Sequence, residues 1–189
     1  MKKIIFLFLA ASIFLLIKCS HGEVDSLDEI KNYKLDDKYF KANVKSMHFM
    51  IETRDVNELN KIFEEWIRAN NIPTDAKGCK DGIYIGESPY DAYDYKHVVK
   101  IEIKDEKIIS IDYDEIKRDG KSKQNDAQYN EEMSVTGTSP AIAYPLYEKQ
   151  LIDKQDYRKV DAITGATYSL FRFRYALSIA LMKARLANQ

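Results

Sequence analysis

This chain of 189 residues is poor in the residues that most chemistry is built on. It has two cysteines, Cys19 and Cys79, too few for a disulfide framework. Its three histidines, His21, His48 and His97, lie far apart, and no C-x-x-C or H-x-x-x-H spacing appears, so no metal site is expected. There is one tryptophan, and no glycine-rich loop of the nucleotide-binding kind, so NADH is not expected to bind. No Ser-His-Asp order or paired acid and base stands out as catalytic machinery. Net charge is -1 with no broad basic field, which excludes nucleic acid as a partner. No internal repeat is visible. What remains is 45% hydrophobic and 31% charged residues with 13 tyrosines, enough apolar material for one packed domain.

The N-terminus carries the clearest address. "MKK" is a positive n-region, and "IIFLFLAASIFLLI" is an apolar run, short for a membrane span, that stops at Lys18. "LIKCS" follows, with Leu16 three residues before Cys19. This string resembles the lipobox of bacterial lipoproteins, whose cysteine is acylated and becomes the mature N-terminus. Lys18 departs from the pattern, because the residue before the cysteine is usually small. The resemblance implies a signal peptide over 1–18, lipidation of Cys19 and a membrane partner reached through a lipid anchor. Several acyl chains (palmitate-like) anchor stably where one does not. An uncleaved signal anchor is the alternative. With Cys19 lipidated, Cys79 is a free loop thiol.

Residues 19–45 read as a polar tether, and 46–189 as a single domain with an added N-terminal helix. "RDVNELNKIFEEWIRANN" has a capping-box spacing at Asp55 and Glu58. Its Val56, Leu59, Ile62, Phe63, Trp66 and Ile67 share one helical face, and Asn70, Asn71 and Pro73 end it. "DGIYIGES" reads as a strand with Ile83 and Ile85 on one face and Tyr84 on the other. Gly82 and Gly86 beside them mark a turn or a close backbone approach. "HVVKIEIKDEKIISIDYDEI" reads as a hairpin: Val99, Ile101 and Ile103 alternate, "KDEK" turns, and Ile109, Ile111 and Tyr113 alternate back. Its charged face is expected to be solvated. "KRDGKSKQNDAQYNEEM" reads as a polar connection. Tyr144, Leu146, Tyr147, Leu151 and Ile152 suggest a helix, and Leu170, Phe173, Leu177, Leu181 and Ala184 a longer one. Helix, strands, then helices predict an α+β fold with an antiparallel sheet and flanking helices.

Just before the last helix stands "VDAITGATYS", Val160 to Ser169. A helix N-terminus presents unpaired N–H groups and partial positive charge, which suits a phosphate. Thr164, Thr167 and Ser169 add hydroxyls, and Gly165 and Ala166 leave room for close approach. Serine and threonine are also ordinary N-caps, so a cap and an anion site both remain open.

The string D-A-I-T-G-A-T, Asp161 to Thr167, resembles the flavinylation motif of the FMN-binding domain family. That family occurs in flavin subunits of ion-pumping redox complexes and in flavin-bearing envelope lipoproteins. "DGIYIGES" and the hairpin resemble the family's early strands, with Glu106 where a turn glycine is common. "YPLYEKQLIDKQDYRKV" resembles the helix that leads through Gln155 into the motif. The likeness runs from about Asp81 to the C-terminus. In size and in its lysine- and tyrosine-rich character the chain is also similar to spirochaetal lipoprotein antigens.

The resemblance implies an FMN-binding-domain-like fold and FMN joined by a phosphoester to Thr167, made by a separate flavin transferase. Asp161 would position the motif and the transferase's metal-nucleotide substrate. The backbone at Gly165 and Ala166 would hold the phosphate, beside the Thr164 hydroxyl. Ser169 is the competing acceptor, and Tyr84, with Tyr90 and Tyr144, would border the ring. The chemistry implied is electron transfer between redox partner proteins by a carrier without a substrate of its own. The expected place is the cell envelope, at the periplasmic face of the inner membrane, with the outer membrane open. Two further readings stand beside it. One is noncovalent FMN at the same helix mouth. The other is a flavin-free surface antigen or binding module that uses the 117–130 loop and the tyrosine-rich loop as contact surfaces.

Overall fold

A computed structural model describes residues 61, 63–65, 67, 68, 71–91 and 93–188. The expected signal peptide, Cys19, the tether, the capping box at Asp55, Trp66, His21 and His48 lie outside the described residues. Among the described residues, no helix is long and apolar enough to cross a membrane.

The fold is α+β. Three antiparallel strands, β1 (Gly82–Glu87), β2 (Tyr95–Lys104) and β3 (Lys107–Lys117), lie in the order β1-β2-β3. Three helices follow: α1 (Ala127–Ser134), α2 (Pro140–Lys154) and α3 (Thr167–Leu186), with a 3-10 turn at Tyr157–Lys159 before the last. Ahead of the sheet, the described residues from 61 to 68 are helical, with Phe63 and Ile67 buried as their i, i+4 spacing requires. Asn71, at φ 50, ends that helix in the left-handed region, and Ile72 N–H donates to Ile67 O at 3.0 Å.

The hairpin turn puts Asp105 and Glu106 at φ 51 and 58. A two-residue loop of matching twist needs positive φ at both positions, which Asp tolerates better than Glu. Two hydrogen bonds offset that strain: Glu106 Oε1 accepts from Gly78 N–H and Asp81 Oδ1 from Asp105 N–H, both at 3.0 Å. The expected alternation on β3 needs one correction. A register shift at Glu102/Ile103 sets Ile108 opposite Ile103, so Ile108 points into the core and Ile109 out to solvent. Ile111 and Tyr113 keep their inward places.

α3 packs on the inner face of β1 and β2. Gly86 is where they meet: a Cβ there would stand 1.8 Å from Ala176 O and 2.6 Å from Ala180 N. Glycine is thus required by a close backbone approach, the second of its two expected roles. The stripe from Leu170 to Ala184 is buried throughout, and so are most of the other α3 residues: the sheet covers one side, and the 3-10 turn and the Tyr147 ring of α2, stacked on Phe173, meet α3 as well. α2 lies along β3. Its Glu148 accepts from Tyr113 N–H at 2.7 Å, and the Gln155 side chain both accepts from Ile108 N–H and donates to Ile108 O. These side chains do for the outer edge of β3 what a fourth strand would do.

The polar connection after β3 holds a helix that its sequence pattern concealed. α1 has no buried residue, so it carries no apolar period. Its one local signal is Asp126, whose carboxylate caps it by accepting from Tyr129 N–H at 3.0 Å.

Candidate functional site

The segment between the 3-10 turn and α3 is fixed from both sides. Arg174 of α3 donates to Val160 O at 2.7 Å and to Arg158 O at 3.2 Å. Gln150 of α2 accepts from Asp161 N–H at 2.8 Å, and Tyr147 OH donates to Ala166 O at 2.7 Å. Gly165 turns the chain at φ 82, and a Cβ on it would stand 2.9 Å from Thr138 Cγ2. Both conformation and space therefore call for glycine.

α3 begins at Thr167 with Ala166 as its N-cap, and no side-chain hydrogen bond caps it. The cap reading of Thr164, Thr167 and Ser169 is not realised. The helix mouth opens on a groove of about 660 Å³. That volume falls in the range of small-molecule sites, roughly 300–1,000 Å³. Tyr93, Tyr95, Tyr129 and Tyr168 line it together with Lys117, Lys123, Arg172, Gly165, Ala166 and Ser169. A smaller recess of about 50 Å³ shares Glu115, Lys123, Gly165, Ala166 and Ser169, among others, with the groove, and Thr138, Ser139, Pro140 and Tyr144 line it alone.

Beneath the groove lies a buried polar network. His97 and Glu115 are direct partners across β2 and β3 and are both fully buried. Lys123 Nζ sits 2.6 Å from Glu115 Oε2, and Tyr144 OH donates to the other carboxylate oxygen. Arg172 NH1 lies 3.2 Å from His97 Nε2 and 3.4 Å from Asp91 Oδ2. His97 Nδ1 lies 3.0 Å from Tyr113 OH, which donates to Ser169 O at 3.2 Å. These partners assign the tautomer: Nε2 accepts from Arg172, and Nδ1–H donates to Tyr113.

Burial drives His97 down to about 3, against the pull of Glu115 and with a push from Arg172 and Lys123, so the ring is neutral. Burial opposes ionisation of Glu115, but His97, Lys123 and Arg172 outweigh it and hold the carboxyl at about 2. Lys123 resists burial through Glu115 and titrates above its ordinary value.

Asp91, His97 and Glu115 bring one ligand atom each within 4.8 Å of one another, a cluster that their sequence spacing hides. Its geometry resembles a metal site, but cations of the chain already fill the role. Arg172 NH1 bonds both His97 and Asp91, and Lys123 bonds Glu115. Two carboxylates meet two cations around a neutral imidazole, which makes this an ion-pair network.

The expected site residues are only partly brought together. Gly165, Ala166 and Ser169 line the groove. Thr167 starts α3, half-buried, and lines neither the groove nor the recess. Asp161 and Thr164 are exposed and stand outside both; Asp161 pairs with Lys154 at 2.5 Å. Tyr84 is set apart. It sits on the edge strand β1 opposite Ile101 of β2, packs at the core margin and does not reach the groove. Tyr90 lies under the Arg118 guanidinium, 4.0 Å from ring centroid to Cζ, and is not part of the lining. Tyr144 lines the recess.

A crystal structure of the CPE2226 protein from Clostridium perfringens is similar to this chain: 37% identity over 58% of this chain and 91% of that one, with a TM-score of 0.54. This chain belongs to one family with that clostridial protein. A solution NMR structure of a Clostridium thermocellum protein is 27% identical over 56% of this chain and 92% of that one, with a TM-score of 0.37. Both were structural-genomics targets. No family model matches the chain, and no curated protein does.

The sequence reading missed Asp91, His97, Glu115, Lys123, Arg172 and Thr138. Two of them had a signal. His97 is in phase with Val99 and Ile101, and Glu115 with Tyr113, so both fall on the core face of the hairpin where a charge demands partners.

Proposed function

We propose that this protein is an envelope lipoprotein, anchored through Cys19, that carries FMN in the groove at the α3 mouth and passes electrons between redox partner proteins. The observation that carries this reading is a helix N-terminus without a side-chain cap, opening on a tyrosine-lined groove of about 660 Å³ with three cationic residues, two of them paired with the acidic Asp91 and Glu115. Tyrosine faces suit a flat aromatic ring, and the helix end suits its phosphate. Two buried donors on the groove and recess walls, Arg172 Nε and Thr138 Oγ1, have no hydrogen-bond partner among the described residues. Buried donors without partners are costly in a finished protein and fit a site completed by a ligand. Bound flavin would supply the redox chemistry. The chain's own part is to hold and orient it. Arg174, Gln150 and Tyr147 fix the motif loop, and the network around Glu115 fixes Lys123 and Arg172 in the wall.

The test is the intact mass of protein purified from its native cells, with an absorbance scan. A mass excess of one flavin phosphate, and yellow absorbance that survives denaturation, is the expected result. An unmodified polypeptide without flavin absorbance would leave a flavin-free binding module as the better account. One observation favours a second form of the same reading. Ser169 lines the groove and Thr167 does not, so noncovalent FMN, or an ester on Ser169, stands beside the ester on Thr167. Loss of covalent flavin in Thr167→Ala, with retention in Ser169→Ala, assigns the ester to Thr167.

A further inference from the structure

The motif accounts for one side of the α3 mouth. The opposite side is made by residues outside it. Lys123 is fixed to Glu115 twice: its backbone N–H donates to Glu115 O at 2.9 Å, and its ammonium lies 2.6 Å from Glu115 Oε2. The rings of Tyr95 and Tyr129 flank the ammonium, with centroids at 4.7 and 4.8 Å. Glu115 takes one of its three donors, and the ammonium forms part of the recess wall. Thr138 stands across the same recess. It is 97% buried (3% exposed), and its hydroxyl has no partner among the described residues. A recess of about 50 Å³ takes a group of a few atoms and not a ring system. Lys123 and Glu115 both line it and pair with one another, which leaves three features for a ligand: the spare N–H donors of the ammonium, the free hydroxyl and a positive helix end. A phosphate monoester matches all three.

We propose that Lys123 and Thr138 are the specificity residues of the groove: they bind the phosphate of the ligand and make the groove select phosphorylated over unphosphorylated flavin before any ester forms. Glu115 also lines the recess, but its two oxygens are taken by Lys123 and Tyr144, and it is a positioning residue that fixes the Lys123 ammonium. This inference rests on the flavin reading above.

The test uses the full mature chain made in cells without a flavin transferase, so that no ester forms. FMN and riboflavin are titrated separately, followed by flavin fluorescence, with inorganic phosphate as competitor. The wild-type chain binds FMN at least about tenfold more tightly than riboflavin, as one charge-assisted contact allows, and phosphate displaces the preference. Lys123→Met alone leaves Glu115 buried without its cation, so the informative variant is Lys123→Met with Glu115→Gln, which removes both charges together. It brings the FMN-to-riboflavin ratio to about one while riboflavin affinity holds, and retained riboflavin binding also reports an intact groove. Thr138→Val weakens FMN several-fold, leaves riboflavin unchanged and raises the melting temperature of the ligand-free chain, because it deletes an unsatisfied hydroxyl. A purely structural threonine would lower that temperature. Equal loss of both flavins, or an unchanged ratio in the variants, overturns the assignment to Lys123 and Thr138. Wild-type protein that binds FMN and riboflavin equally overturns phosphate selection and leaves the flavin reading standing. Wild-type protein that binds neither overturns the flavin reading and this inference with it.

Discussion

Replacing His97 with Gln should remove a large part of the acid sensitivity of the fold. His97 is fully buried and neutral, held down to about 3 mainly by desolvation. In the unfolded chain it titrates near 6.5, so between 6.5 and about 3 the unfolded state binds a proton that the folded state refuses. The unfolded state gains as pH falls, and stability is lost in that direction. Between pH 7.5 and pH 5 the linkage is worth about 2 kcal/mol, set almost wholly by the unfolded value as long as the folded value lies well below 5. Two other groups act over the same interval. Glu115, held at about 2, adds only a few tenths of a kcal/mol of loss above pH 5. Glu148 acts in the opposite sense: burial, opposed by the Tyr113 N–H, raises it to about 6, so the folded state takes up its proton first and gains stability as pH falls toward 4.5. The wild-type profile is therefore shallow, and the His97 contribution shows only by difference. Urea unfolding of wild type and His97→Gln at pH 7.5 and pH 5 measures it. Gln retains one donor and one acceptor for Tyr113 and Arg172. The wild type should lose about 2 kcal/mol more than the variant across the interval. Parallel profiles would refute the picture of a neutral imidazole locked between Tyr113 and Arg172.

Three further tests address other links. Glu148→Gln keeps an acceptor for Tyr113 N–H and should stabilise the fold more at pH 7.5 than at pH 4.5, read by the same unfolding assay; an equal effect at both pH values would show that the carboxylate carries no penalty. Gly86→Ala forces a methyl onto the α3 backbone at Ala176 and should cost about 3 kcal/mol or more, seen as a melting point lower by several degrees. Gly165→Ala meets both a positive φ and the Thr138 methyl, and should distort the α3 mouth so that FMN affinity falls more than global stability does.

The sheet and the long helix were legible because each has a period. Val99, Ile101 and Ile103 alternate, Leu170 to Ala184 repeat at helical spacing, and both patterns ended in the core. Ile108 and Ile109 exchanged roles because a bulge adds a residue that alternation cannot foresee. α1 was illegible since it buries nothing, and Asp126 alone marked it. The motif from Asp161 to Thr167 located the α3 mouth, but it gives the groove only Gly165 and Ala166, and most of the wall comes from elsewhere. Lys123 and Thr138 sit in polar stretches with no local reason to matter, and only the return of the chain beside α3 brings them to Gly165. Tyr84 shows the converse. Its alternation correctly sets it opposite Ile83 and Ile85, yet register places it at the wrong part of the sheet for the groove.

The titration behaviour of the groove floor has a consequence for measurement. His97 loses its proton at about 3 and Glu115 at about 2, while Lys123 keeps its proton beyond its ordinary range. These three groups therefore hold a fixed charge from roughly pH 4 to pH 9. They impose a constant electric field on whatever occupies the groove across that span. A midpoint potential that drifts with pH in the loaded protein would then record proton uptake elsewhere than at these three groups.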